Sequence, residues 1–217
     1  MATLLYIDTS GNTATVAVSQ NGVQLALRLH EQANEQAAVL NTMIETALAD
    51  AGLSLREIDA VCVCAGPGSY TGLRVGIGVA KGICYALDKP VMLFNKLDLL
   101  ALSFSAHHRF AIALKARAGE YFFALYDNED GKTMSPRHLL LEEIDTLLQQ
   151  EADLYVITDD DSWTPAANLS RLTPNAAASI PEWIPVAEKR QQAGAFDDLA
   201  YCEPFYLKAA YTTQSKK

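Results

Sequence analysis

The first thirty residues contain three apolar runs that read as strands. They lie at residues 4–10, 13–19 and 23–29, and the first of them ends in small polar side chains. Asn21-Gly22 separates the second run from the third, and this dipeptide is the strongest short signal for a two-residue hairpin turn. We therefore predict three antiparallel strands at the start of the chain.

The spacing of the apolar residues then changes to that of a helix. Residues 37–51 repeat alanine, leucine and isoleucine at helical intervals, with Asn34 as a candidate cap and Gly52 as the stop. Residues 58–65 are almost continuously apolar, which is typical of a buried parallel strand. The other elements predicted in this half are a second helix ending near residue 87, a strand at 90–94 and a helix at 98–106.

From residue 109 the pattern starts again. The elements predicted there are strands at 110–114, 121–126 and 154–158, a turn at 127–131 and a helix at 139–150. Residues 159–195 are acidic, alanine-rich and interrupted by prolines, and they predict no definite element. A closing segment at 197–208 precedes a polar tail that we expect to be mobile. This order predicts an α/β protein of two related lobes, residues 1–108 and residues 109–217.

The charge of the chain argues against an autonomous nucleic-acid binder. The formal net charge is −9 at pH 7, and both halves of the chain are acidic. Neutralisation of phosphates supplies most of the affinity of proteins for nucleic acids. If the function of this chain involves RNA, we therefore expect a partner to hold most of it.

The four cysteines favour an intracellular protein with reduced thiols. They include no CxxC pair, and Cys62 and Cys64 alternate within an apolar run, which argues against a disulfide framework or a zinc site. No basic leader precedes the first apolar run, and no apolar stretch approaches the roughly 20 residues that a membrane span needs. We expect a soluble, cytoplasmic protein.

Six of the twelve glycines fall between residues 64 and 82, and phosphate binding is one explanation for them. The segment matches neither the P-loop nor the dinucleotide motif G-x-G-x-x-G, because Thr71 stands at the last glycine of the latter. A glycine loop before a helix can still bind an anion through free N–H groups, although Ser69 or Thr71 could cap that helix instead. The candidate nucleotide- or phosphate-binding residues are Asp8, Thr9, Ser10, Gly66, Gly68 and Ser69.

Close packing is the second explanation. Gly68, Gly72, Gly76, Ala80 and Cys84 recur every four residues, and Gly78 and Gly82 widen this stripe. Each glycine inside a helix costs about 0.5–1 kcal/mol relative to alanine, and the close approach of another backbone compensates. That backbone belongs either to this chain's own sheet or to a helix of another chain. Our hypothesis is a contact between chains through Leu40, Met43, Ile44, Ala47, Gly72, Gly76 and Ala80.

Three motifs together resemble the bacterial TsaB family, also called YeaZ. They are IDTS at 7–10, AGPGSYTGLRVGIGVAKG at 65–82 and EPFYLK at 203–208. The resemblance implies the actin/Hsp70/sugar-kinase-like fold and a non-catalytic partner of the transferase TsaD in forming threonylcarbamoyladenosine on tRNA. It also implies the ATPase TsaE as a third partner. ATP, Mg²⁺ and tRNA would be ligands of the assembly, and this chain would have no cofactor of its own. We expect a homodimer when it is alone.

The resemblance also allows the histidines to be compared with a known metal site. TsaD carries an H-x-x-x-H metal pair on its first long helix, whereas the corresponding helix here contains no histidine. The four histidines of this chain, His30, His107, His108 and His138, are not paired at the spacing of ligands on a helix. We therefore expect no metal site, no catalytic residue and no metallopeptidase activity.

Two positions leave alternatives open. In kinases and ATPases of the implied fold, an aspartate at the end of the first strand serves the metal and phosphates of a nucleotide, and Asp8 fits that place. Asp8 can equally close an Asx turn with the amide of Thr9 or Ser10. The alternative function is therefore a small ATP-dependent phosphoryl or acyl transferase. Lys115 stands where the family commonly has aspartate, which puts any family role of that position in doubt.

Overall fold

A computed structural model describes residues 2–32, 35–127, 129, 131–149, 151, 154–165, 169–173 and 179–207. The predicted cap at Asn34, parts of the predicted turn at 127–131 and the tail after residue 207 lie outside these residues. Among the described residues, no helix has both the length and the apolar character needed to cross a membrane.

The first sheet has five strands in the order β3-β2-β1-β4-β5. The strands are β1 Thr3–Asp8, β2 Ala14–Gln20, β3 Val23–His30, β4 Ala60–Gly66 and β5 Val91–Asn95. β1, β2 and β3 are antiparallel, whereas β4 and β5 run parallel to β1. Asn21 and Gly22 both have positive φ, as a type I′ turn requires, which confirms the predicted hairpin.

Helices cover both faces of this sheet. α1 Gln36–Asp50 and α2 Tyr70–Leu87 pack on one face, and a short 3₁₀ turn, Leu55–Glu57, follows α1. The opposite face is covered by α3 Lys96–Leu102 and by a later helix, Ile180–Gln192, which supplies the fully buried Trp183. The sheet is therefore buried on both sides, which explains why residues 58–65 are almost continuously apolar.

The second sheet repeats the topology of the first. Its order is β10-β9-β6-β7-β8, and its strands are β6 Arg109–Arg117, β7 Glu120–Asp127, β8 Gly131–Leu140, β9 Tyr155–Thr158 and β10 Ser170–Leu172. β6, β7 and β8 are antiparallel, whereas β9 and β10 are parallel to β6, and α4 Leu141–Leu148 packs on this sheet. Both sheets thus consist of an antiparallel meander followed by two parallel strands. This confirms the prediction of two related lobes.

The sequence analysis did not predict two elements that contain prolines. Residues 131–140 form the edge strand β8, where Pro136 is tolerated because one side of an edge strand makes no ladder hydrogen bonds. The helix Ile180–Gln192, labelled α5, has Pro181 in its first turn, where the missing N–H is not needed.

The end of the described chain packs on the first sheet. After α5, the backbone amide of Asp197 donates a hydrogen bond to the carbonyl oxygen of Val91 in β5. The lobes are therefore not two consecutive halves of the chain.

Candidate functional site

The glycine stripe of α2 faces the end of β1 in the same chain. A Cβ atom at Gly72 would overlap the carbonyl oxygen of Thr9, and one at Gly76 would overlap the Thr9 hydroxyl. The Thr9 hydroxyl donates a hydrogen bond of 2.7 Å to the carbonyl of Gly72. A Cβ atom at Gly68 would likewise overlap the carbonyl oxygen of Ser10. These glycines therefore let α2 approach the backbone of β1 closely. Of the two explanations for the stripe, this is packing against the chain's own sheet.

This packing bears on the interface residues chosen from the sequence. All seven are buried in the isolated chain, and they pack between the first sheet and its two helices: Leu40, Met43, Ile44, Ala47, Gly72, Gly76 and Ala80. The i, i+4 spacing identified the stripe but not its direction, and Gly72 and Gly76 face this chain's own β1. A contact of these residues, or of the two helices, with another chain stays a prediction.

α2 carries a second stripe of small residues, and this one is exposed. Gly78, Gly82 and Ala86 repeat at the same interval, in line with Arg74 one turn earlier, and all four face solvent. A Cβ atom at Gly78 or Gly82 would meet no atom within 4 Å. Packing inside this chain therefore gives no reason for these two glycines. The sequence analysis noted them only as widening the buried stripe.

An apolar groove of about 470 Å³ lies beside the exposed stripe. It runs between the second half of α1 and α2, and the turn after α1 closes one end. The groove is lined by Asn41, Ile44, Glu45, Leu48, Ala49, Leu53, Ser54, Leu55 and Ile83. The outer faces of α1 and α2 thus combine an apolar groove with a helix edge that has almost no side chains.

Asp8 and Lys96 form a buried ion pair at the carboxyl end of the first sheet. One carboxylate oxygen of Asp8 accepts hydrogen bonds from the amide and hydroxyl of Ser10, at 2.8 and 2.6 Å. The other accepts from Lys96 Nζ at 2.7 Å, and the two side chains are only 2% and 7% exposed. Burial by itself would raise the pKa of Asp8, but the ammonium of Lys96 and the Ser10 hydrogen bonds outweigh it and lower this pKa. Asp8 therefore closes an Asx turn with the amide of Ser10, which is the second of the two alternatives left open by the sequence.

The six candidate phosphate-binding residues do come together, but they bond to one another. The amide of Ser69 donates to the carbonyl of Ser10 at 2.7 Å. The Ser69 hydroxyl accepts from the amide of Gly72, so that Ser69 caps α2. Gly66 has φ +105°, and its Cα lies against Leu73 and the backbone of Phe205. Because Asp8 already holds a cation from its own chain, this arrangement does not fit a magnesium–nucleotide complex.

A second cluster repeats this arrangement in the second sheet. Asp160 accepts hydrogen bonds from the amide and hydroxyl of Ser162, at 2.9 and 2.6 Å, and from Lys115 Nζ at 2.9 Å. Its other oxygen accepts from the Tyr121 hydroxyl at 2.6 Å. Burial alone would raise the pKa of Asp160, but these hydrogen bonds lower it well below the usual range. Lys115 thus has a carboxylate partner of its own.

Neither cluster was identified from the sequence, although the topology gives a signal. Lys96 directly follows β5, and Asp160 closely follows β9. Carboxyl ends of parallel strands meet at one edge of a sheet, so a correct strand order would have placed Lys96 near Asp8. Spacing along the chain gives no such indication.

Each histidine has a neighbour of its own. His30, His108 and His138 lie 3.3, 3.7 and 2.8 Å from the carboxylates of Glu35, Asp127 and Glu120, and His107 packs on the ring of Tyr155. Within the described ranges, no group of three or more histidine, cysteine or acidic side chains is placed to hold a metal ion. All four cysteines are buried and form no disulfide. Burial raises the pKa of Cys64 to about 12.

Comparison with known proteins places the chain in a family. A family model for TsaD, tRNA N6-adenosine threonylcarbamoyltransferase, matches residues 28–151, which is more than half of the chain. The TsaB protein of Haemophilus influenzae is 35% identical over 125 residues, 56% of this chain and 52% of that protein. The TsaB protein of Escherichia coli is 30% identical over 135 residues, 58% of this chain and 56% of that protein. The chain belongs to the TsaB family.

Solved structures agree with this TsaB assignment. YeaZ from Pseudomonas aeruginosa superimposes with a TM-score of 0.78 at 24% identity, covering 95% of this chain and all of that one. A second structure, described as similar to peptidase YEAZ from the same organism, gives a TM-score of 0.76 at 26% identity and covers 96% of this chain. The fold is the actin/Hsp70/sugar-kinase-like fold, and the repeated sheet topology described above agrees with it.

TsaD transferases are also similar to this TsaB-family chain. The enzyme of Novosphingobium aromaticivorans is 35% identical over 124 residues, which are 48% of this chain and 35% of that enzyme. The chain spans about half the length of the curated TsaB relatives it matches.

Proposed function

We propose that this chain is a non-catalytic subunit that pairs with a TsaD-type transferase and supports the threonylcarbamoyladenosine modification of tRNA. A TsaE-type ATPase is the third partner. ATP, Mg²⁺ and tRNA are ligands of the assembly, and the chain holds no cofactor of its own. The proposal rests on the family and, for the absence of catalysis, on one observation, which is the buried ion pair of Asp8 with Lys96.

The ion pair disfavours nucleotide chemistry at this site. A carboxylate that serves a metal must be accessible and uncompensated, whereas Asp8 is buried and already neutralised by an ammonium group. Removing Lys96 from Asp8 would leave a buried charge without a partner, which is costly. In the glycine loop next to it, the amide of Ser69 donates to the carbonyl of Ser10, so this amide is not available to a phosphate. These contacts support a scaffold over the alternative of a small ATP-dependent transferase.

The outer faces of α1 and α2 support pairing with the transferase. The TsaD family model spans both helices, so a TsaD protein has counterparts of them. Two helices from each chain would then form a four-helix contact. The exposed Gly78 and Gly82 permit a short distance between helix axes, because little more than backbone lies at the contact. The same surface would serve a homodimer of the isolated chain, in competition with the transferase.

Reconstitution tests the proposed function. The purified chain, the TsaD-type transferase and the TsaE-type ATPase of the same cells are combined with ATP, Mg²⁺, threonine-derived donor and tRNA. We expect no threonylcarbamoyl transfer by the chain alone, and faster transfer by the transferase when the chain is added. Titration of Mg-ATP into the isolated chain is the companion experiment. Saturable binding at one nucleotide per chain would favour the enzyme alternative.

Matched glycine substitutions test the surface. Gly78→Leu leaves the fold intact because this position is open, but it holds the partner helices apart. Overpacking typically costs about 1–3 kcal/mol, and at about 1.4 kcal/mol per decade this weakens pairing by roughly ten-fold or more. Gly76→Leu is the contrasting variant, and it should unfold the chain because its side chain would enter the Thr9 contact. Circular dichroism and transferase pull-down distinguish the two, and full pairing by Gly78→Leu would exclude this surface.

A further inference from the structure

The segment after α5 crosses α2 and is fixed to it at several points; we call residues 196–207 the C-terminal strap. Lys81 Nζ on α2 donates to the carbonyl oxygens of Ala200 and Cys202, at 3.1 and 3.2 Å. Further along, the amide of Phe205 donates to the carbonyl of Ala65 at 2.7 Å. The strap therefore has a defined position beside the exposed face of α2.

The strap and the first turns of α2 together form a cluster of exposed aromatic rings and one arginine. The rings of Tyr70 and Tyr206 lie 5.3 Å apart, and the guanidinium of Arg74 lies 4.2 Å from the centre of the Tyr70 ring. Arg74 Nε also donates to the Tyr206 hydroxyl at 3.0 Å. Each of the three side chains is thus held by the other two, although all three are exposed to solvent.

Two further tyrosines next to Lys81 are almost fully exposed. Tyr201 on the strap is 83% exposed, and Tyr85 on α2 is 85% exposed. Lys81 fixes the backbone on both sides of Tyr201, so this residue has a defined position without any burial of its side chain. Tyrosine and arginine are the residues most often found at the energetic centre of protein interfaces, because they combine a large apolar area with polar groups.

We infer that the C-terminal strap is part of the surface that binds the TsaD-type transferase, with Tyr201 and Tyr206 in direct contact with the helices of the partner. This inference rests on the proposed function. The exposed stripe of α2 lies between the apolar groove on the α1 side and the strap on the other side. The partner helices would therefore lie along Gly78 and Gly82, with the strap as one wall.

The area required of a stable interface favours this larger surface. Standard interfaces bury about 800 Å² on each partner. A stripe of glycines and alanines offers little side-chain area, whereas each aromatic residue can bury about 150–250 Å². Tyr85 and Tyr201 are almost fully exposed and can each bury an area of this order, whereas Tyr70 and Tyr206 are 41% and 39% exposed and can add less. Together with the groove, these tyrosines give the outer face of α2 a much larger contact area than the glycine stripe alone.

Charge favours a protein over RNA as the occupant of this surface. The strap contains three acidic side chains, of which Asp197 is paired with Arg190, whereas Asp198 and Glu203 offset the nearby Arg74 and Lys81. The surface therefore has no excess of positive charge, and the chain as a whole has a net charge of −9. A phosphate backbone gains little attraction here, although stacked tyrosines and an arginine can also bind bases.

The test is the affinity of strap variants for the purified TsaD-type transferase, measured by biolayer interferometry on full-length chains. We expect Tyr201→Ala to weaken binding by roughly ten-fold, and the double variant with Tyr206→Ala to weaken it by a further factor of ten. Tyr206→Phe retains the ring and should have a smaller effect than Tyr206→Ala. Leu147→Ala removes an exposed apolar side chain from α4 in the second lobe and should bind as the wild type does.

Each outcome leads to a decision. If the wild type fails to bind the transferase at all, the proposed function is wrong and the inference falls with it. If the wild type binds and the double variant binds equally well, the strap lies outside the interface and only the inference is overturned. Binding of a tRNA anticodon stem-loop by the isolated chain, lost in the double variant, would overturn it in favour of RNA. If circular dichroism shows that Tyr206→Ala disturbs the fold, the affinity of Tyr201→Ala for the transferase tests the inference by itself.

Discussion

The two sheets carry the same polar arrangement, but they stabilise it differently. The first cluster consists of Asp8, Ser10 and Lys96, and the second of Asp160, Ser162, Lys115 and Tyr121. In both, an aspartate at or just after the end of a strand accepts hydrogen bonds from the amide and hydroxyl of the serine two residues later and from the ammonium of a lysine. Equivalent hydrogen bonds agree within 0.2 Å, so the aspartates differ in their surroundings rather than in local geometry.

The surroundings differ in the exposure of the lysine. Lys96 lies at the start of α3 and is buried with Asp8, whereas Lys115 at the end of β6 is 39% exposed. In addition, Asp160 receives the hydroxyl of Tyr121, for which the first cluster has no counterpart. We conclude that Asp8 depends on its ion pair, whereas Asp160 depends mainly on neutral hydrogen-bond donors. The first cluster is closed to solvent and the second is partly open.

The largest effect is expected from removal of the buried cation. Lys96→Met leaves Asp8 as an uncompensated buried charge, which typically destabilises a protein by about 3–5 kcal/mol. Methionine retains most of the aliphatic volume of lysine, so the loss reports the charge and not a cavity. Urea unfolding followed by circular dichroism at neutral pH measures it. A loss below about 1 kcal/mol would show that Asp8 does not depend on the pair.

The pH dependence of the same variant should change sign. In the wild type the pKa of Asp8 is lowered, so its contribution is present above the unfolded value and is lost as the pH falls. Without Lys96, burial raises this pKa, and stability is then lost as the pH rises through the folded value. Lys96→Met should therefore gain stability as the pH falls from neutral towards the unfolded pKa of aspartate, about 4, by at most about 1.4 kcal/mol per pH unit. Lys115→Met is the control. It should show no such gain, because Ser162 and Tyr121 still lower the pKa of Asp160.

The serines provide a matched pair of intermediate size. Ser10 is buried and Ser162 is exposed, although both donate to an aspartate at 2.6 Å. A hydrogen bond to a charged group is worth about 1.5–3 kcal/mol, so Ser10→Ala should approach this range, whereas water can replace the hydroxyl in Ser162→Ala. Thermal denaturation of the two variants side by side gives the difference. Equal losses would contradict the distinction between a closed and an open cluster.

The smallest effect is expected at the exposed lysine. Lys115→Met should cost less than about 1 kcal/mol, because partly exposed ion pairs contribute little to stability. The backbone amide of Lys115 still donates to Asp159 in this variant. Urea unfolding at neutral pH compares it directly with Lys96→Met. If the free energy of unfolding falls as much in Lys115→Met as in Lys96→Met, the two clusters depend on their lysines to the same extent.

Local sequence signals predicted much of the fold. The Asn21-Gly22 hairpin, the helix that ends at Leu87 and the repetition of strands and helices in two lobes are confirmed. These features depend on neighbouring residues, such as positive φ in a turn or the spacing of apolar side chains on one face. β8 and α5 were missed, because a proline is acceptable only at particular places, such as Pro136 in an edge strand and Pro181 in the first turn of a helix, and the sequence does not show that these residues occupy them.

The candidate site depends largely on contacts that local sequence signals do not predict. The sequence alone offered an Asx turn as one role for Asp8 and identified a stripe of glycines, because both features depend on residues close together in the chain. The summed charge of the sequence also led to the prediction that the chain does not hold tRNA by itself. Only the tertiary structure decided that Gly72 and Gly76 face β1, that Gly78 and Gly82 remain open, and that Lys96 neutralises Asp8. The direction of a helix face and the partner of a buried charge are set by which elements the sheet brings together, over separations in the chain that no local pattern records.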